Sequence, residues 1–122
     1  MKKYQLGEFE EVVMLTVGIL YDEAYGVSIK KEIENRLERG VSVGALQTAL
    51  NRLEDKGYLK SRQGESTEER AGRPKKYFQI TALGKRAIEN CREQRENLWR
   101  SIPKIALDPK RWGFKENLNP LT

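Results

Sequence analysis

Two amphipathic helical segments lie so close together in this chain that they cannot pack independently. Ile29, Ile33 and Leu37 recur every four residues through about Arg39, where Gly40 is placed to end the helix. Only Val41-Ser42 separates that end from a second apolar stripe of Val43, Leu46, Leu50 and Leu53, which Gly57 stops. A link this short makes the two helices meet across a tight turn, both stripes facing one core. Ser42 supplies the N-cap of the later helix, and Ser28 offers a capping hydroxyl near the start of the earlier one, after a break at Gly26.

The flanking segments complete the pattern. Residues 8–21 form a helix that is apolar on most sides (Phe9, Val12, Val13, Leu15, Val17, Ile19, Leu20), so it is central or lies at a subunit interface. Tyr58–Arg62 and Lys76–Ile80 alternate as strands do, with an exposed loop from Gln63 to Lys75 between them. Thr81 caps a fourth helix over residues 82–102, which Pro103 ends. The order is helix, helix, helix, strand, loop, strand, helix. The fold class is mainly α with a small β-hairpin: a winged helix-turn-helix over residues 1–81, a C-terminal dimerisation helix over 82–102, and a tail over 103–122.

Composition narrows the function. At 122 residues there is room for one modest core. Charged residues interrupt every apolar run well short of the ~18 residues of a membrane span. The start Met1-Lys2-Lys3-Tyr4 runs into an acidic segment and does not suit a signal peptide. The lone Cys91 makes no internal disulfide and fits a reducing cytoplasm, as a small packing residue. With no histidine, imidazole catalysis is excluded, and no ordinary zinc site, nucleophile–base pair or phosphate-binding glycine motif can be assembled. The chain therefore reads as a non-enzyme that calls for no cofactor and no metal. The net charge of +5 is uneven, at −2 over residues 1–40, +3 over 41–76 and +4 over 77–122. The excess begins beside the hairpin and favours an anionic partner.

With the stripe of the third helix facing the core, the opposite face carries Gly44, Gln47, Thr48, Asn51 and Arg52, with Ala45 beside it. Small residues let a helix approach a major groove, and Gln, Asn and Arg carry the forked donors and acceptors that match base edges. At the hairpin base, Arg73-Pro74-Lys75-Lys76 places three cations within four residues, suited to phosphate contacts. On the last helix, Ile88, Cys91, Arg95, Leu98 and Ile102 form a heptad seam that runs beyond what a small core needs, so a partner helix is expected. A homodimer is the economical answer, because two-fold symmetry doubles the DNA contact. Trp99, one position past the seam, either packs against the tail or lines an interface pocket where a small hydrophobic or aromatic effector stacks.

Four stretches carry a resemblance: Leu6-Gly7-Glu8-Phe9-Glu10-Glu11-Val12-Val13-Met14-Leu15; Ala24-Tyr25-Gly26-Val27-Ser28-Ile29; Val41-Ser42-Val43-Gly44-Ala45-Leu46 leading to Leu50-Asn51-Arg52-Leu53-Glu54-Asp55-Lys56-Gly57; and Gly72-Arg73-Pro74-Lys75-Lys76-Tyr77-Phe78-Gln79-Ile80-Thr81 with Gly84. Over roughly residues 6–90 the chain resembles the PadR-like winged-helix transcriptional regulators. The resemblance implies a dimeric repressor that binds a palindromic promoter site in double-stranded DNA and is released by a small molecule. It implies dimerisation through the last helix, packed with the partner's first helix. By position, it assigns DNA contacts to Ser42, Gly44, Ala45, Thr48, Asn51 and Arg52 on the recognition helix and to Arg73, Lys75 and Lys76 on the wing. Tyr25 and Ser28 would touch phosphate. One position departs from the pattern: Gln47 stands where the family usually has tyrosine, so its operator does not transfer. The rival readings are an architectural DNA-binding protein without an effector and a winged-helix adaptor that binds a polypeptide.

Overall fold

The helix-turn-helix forms where the short link requires it. The computed structural model describes residues 4–66, 72 and 74–112. Helix α1 spans Glu8–Leu20 and is followed by a 3-10 turn at Tyr21–Glu23; α2 spans Gly26–Leu37 and α3 Val43–Asp55. Strands β1 (Leu59–Ser66) and β2 (Pro74–Ile80) form an antiparallel hairpin, then come α4 (Ala82–Ser101) and 3-10 turns at Lys104–Leu107 and Pro109–Trp112. Two compact units divide after Cys91, so the first takes in the opening half of α4.

The core of the first unit draws on every one of its elements: Val13, Met14 and Val17 from α1, Ile29 and Ile33 from α2, Leu46, Ala49, Leu50 and Leu53 from α3, Leu59 and Phe78 from the hairpin, and Ala87 from α4. The caps expected at Ser42 and Thr81 are in place. The Ser42 hydroxyl accepts the Ala45 amide at 3.1 Å, and the Thr81 hydroxyl accepts the Gly84 amide at 3.0 Å while donating to the Gly57 carbonyl at 2.6 Å. Gly57, at φ +79°, makes the left-handed turn from α3 to β1.

Three expectations need correction. Val43 is 70% exposed and is not part of the core stripe. As the first residue of α3 it projects beyond the packed region, and Val41 of the preceding link fills the core there instead. The buried stripe is Leu46, Ala49, Leu50 and Leu53. Helix α2 stops at Leu37, with Glu38 in the left-handed region at φ +50°, rather than running to Arg39 with a Gly40 cap. Its end is held by the Glu34 carboxylate, which accepts the Val41 amide at 3.1 Å and pairs with Lys30. Leu37 is consequently half-exposed. Finally, the strands reach into the expected loop. Gln63 pairs with Lys76 and, past a bulge, Ser66 with Pro74, because continuing the ladder satisfies backbone groups of an otherwise open loop.

Candidate nucleic-acid interface

The polar face of α3 is presented as expected. Ser42, Gly44, Ala45, Gln47, Thr48, Asn51 and Arg52 are all exposed, and a side chain added at Gly44 would meet nothing within 4 Å. The Gln47 Nε2 donates to the Asn51 Oδ1 at 3.2 Å, so the two amides lie in line along the helix. Beside this face lies the start of α1, whose Glu8 and Glu10 border a shallow depression with Thr48 and Arg52. Both carboxylates are engaged elsewhere, Glu8 with Arg39 at 3.1 Å and Glu10 with Lys56 at 2.9 Å. Arg52 is exposed, and among the described residues no ion pair engages it.

The start of α2 is tied to the wing. The Phe78 amide donates to the Ala24 carbonyl at 2.8 Å, and Tyr25 bridges to Tyr77. The Tyr25 and Tyr77 rings meet edge to face, with centroids 5.6 Å apart. The Lys75 ammonium sits 4.4 Å from the Tyr25 ring centre, and the Arg62 guanidinium 4.6 Å from that of Tyr77. The Ser28 hydroxyl accepts the Tyr25 amide at 3.0 Å and donates to the Glu23 carbonyl at 2.7 Å, so it serves to position the helix start.

Lys76 has a different part. Its ammonium lies 2.9 Å from Glu54 of α3, whose carboxylate also accepts the Ser61 hydroxyl at 2.7 Å. The pair clamps the hairpin to α3 and offsets one hairpin charge. Partial burial pushes the Glu54 carboxyl upward, but the hydrogen bonds from Ser61 and Lys76 and the lysine charge outweigh it and hold the group below its ordinary value. A carboxyl lowered by folding stabilises the fold above its ordinary range and ceases to do so as pH falls through it. Glu54→Gln is therefore expected to lower the urea midpoint at neutral pH, and the deficit is expected to close as the pH falls through the lowered pKa of the folded Glu54 carboxyl. A deficit that does not change with pH would show that the clamp does not act through charge.

Arg62, Tyr77, Ser61 and Glu54 were not among the sequence-derived site residues. For Ser61, Arg62 and Tyr77 the signal was the alternation of the two strands, and for Glu54 its place on α3, neither of which says what the side chain meets. Arg73 lies outside the described residues. On α4, Ile88 and Cys91 are half-buried in the first unit, while Leu98 and Trp99 of the second unit are exposed, as is Ile102 just past the end of the helix at Ser101. Among the described residues no helix is long and apolar enough to cross a membrane.

The sequence and fold of this chain are similar to those of known proteins. The PadR-like family of transcriptional regulators matches residues 15–90. The chain belongs to that family. A PadR family transcription regulator from Clostridium difficile R20291 is 31% identical, with a TM-score of 0.57 over 73% of this chain and 91% of that one. A PadR-like transcription factor from Bacteroides fragilis is 26% identical, with a TM-score of 0.65 over 76% and 84%. A PadR family regulator from Eggerthella lenta DSM 2243 is also 26% identical, with a TM-score of 0.63 over 84% and 88%. No protein of curated function matches the chain. The chain is thus a PadR-like transcriptional regulator with a DNA-binding winged helix-turn-helix.

Proposed function

We propose that this PadR-like regulator is a non-catalytic cytoplasmic repressor that binds a palindromic site in double-stranded DNA as a homodimer and is released by a small hydrophobic or aromatic effector. The observation that carries the DNA reading is the exposed α3 face, in which Gln47, Thr48, Asn51 and Arg52 share one surface that no described element covers. Phosphate contacts from the α2 start, Lys75 and Arg73 supply affinity, and the α3 side chains supply specificity. Lys76 contributes chiefly by holding the wing against Glu54. The dimer reading is supported by the large apolar side chains that α4 leaves in solvent, and Trp99 is the side chain on which an effector would stack.

The test is selection from a random duplex library at about 0.15 M salt. One enriched palindrome with half-sites about one helical turn apart supports the reading. Retention of all sequences that fades with salt indicates an architectural protein, and no retention sinks the proposal. On the selected site, Arg73→Ala is expected to weaken binding on all sequences alike and flatten the salt slope by about one, whereas Asn51→Ala changes the preferred base. An unaltered slope would remove Arg73 from the phosphate contacts.

A further inference from the structure

Val43 is the large aliphatic residue of α3 that packing does not account for, at 70% exposure in the first turn. Across the turn, Val27 at the start of α2 is 47% exposed, and the two valines border one notch of about 210 Å³ with Gln47 and Lys76 at its rim. Val43, Gln47 and Asn51 stand four residues apart, so they form one row along the presented face. The residues that follow Val43, Gly44 and Ala45, add almost no bulk, and the first turn of a recognition helix is the part that reaches base edges.

The chemistry of the row names what it would meet. It begins with a branched aliphatic group and continues with two amides. In the major groove, thymine alone of the four standard bases presents a methyl group, and its partner adenine presents the N7 and N6 pair that an amide matches. We propose that Val43 is a specificity-determining residue that seats a thymine C5-methyl in each half-site, with Val27 closing the other side of the contact. The proposal deepens the DNA-binding reading and rests on it. The exposed amides of Gln47 and Asn51 in line with Val43 fit this occupant better than an apolar polypeptide, which would leave them unpaired.

The test uses the selected operator with deoxyuridine replacing each thymidine in turn, a change that removes only the methyl. One position per half-site is expected to lose about fourfold in wild-type affinity, the scale of one buried carbon. Val43→Ala is expected to bind the thymidine and deoxyuridine operators equally at that position, while its preference at the base read by Asn51 is kept. The variant lies in solvent and alanine favours helix, so its melting temperature is expected to hold. A uridine series without any loss, or an equal loss in Val43→Ala, overturns the assignment. A protein that retains no duplex at all overturns the DNA-binding reading instead, so the two failures are distinct.

Discussion

Gly84→Ala is expected to destabilise the first unit by about 3 kcal/mol, at the upper end of what overpacking usually costs. A Cβ at Gly84 would fall onto the carbonyl oxygen of Tyr58 and 2.9 Å from the Met14 Cε. The methionine end is flexible and can turn aside. The Tyr58 carbonyl cannot, because it accepts the Thr81 amide at 3.1 Å, which fixes where the hairpin hands over to α4. Glycine within a helix ordinarily costs up to about 1 kcal/mol relative to alanine, so propensity alone would make the variant more stable. The signs are opposite, which makes the measurement decisive. For a unit of this size the expected fall in melting temperature is on the order of 15 °C, read by circular dichroism. Adding Met14→Ala is not expected to rescue the variant, since the clash that remains is with backbone.

Leu98→Glu is expected to leave the first unit folded and to lower operator affinity at least about a hundredfold. Leu98 is 71% exposed and Trp99 beside it 67%, so a carboxylate there removes no packing within the chain. In the proposed dimer the same carboxylate would be forced into an apolar interface without a partner, which is costly. A separated monomer loses the effective concentration that joins two half-site contacts, and losses of two to four decades follow from that alone. Sedimentation at the concentration of the DNA titration gives the check. A variant that remains dimeric with unchanged affinity would show that the subunits meet elsewhere, and a monomeric variant with full affinity would show that one subunit suffices.

Short-range rules made much of this protein readable from its residues in order. The caps at Ser42 and Thr81, the stop at Gly57 and the three-and-four spacing of Leu46, Leu50 and Leu53 depend on neighbours within one helical turn, and each is realised in the structure. The polar face of α3 followed from the same spacing, so Gln47, Thr48, Asn51 and Arg52 could be named as presented side chains without coordinates. What the spacing could not supply is where packing ends. Val43 fits the stripe as well as Leu46 does, and only the docking of Val41 into the core shows that the helix start lies beyond it.

Contacts between distant segments were likewise settled by the tertiary structure. Lys76 read as one of three equivalent wing cations until the hairpin register placed it against Glu54, itself fixed by Ser61. Tyr25 read as a phosphate contact, and the structure adds its ring to the Tyr77 and Lys75 contacts that join wing to α2. Sequence by itself determined the order of elements, the N-terminal caps of α3 and α4 and the polar character of the exposed α3 face, because these rest on local geometry. The tertiary structure decided which charges remain available and which valine faces solvent, because those depend on atoms that only folding brings within a few ångströms.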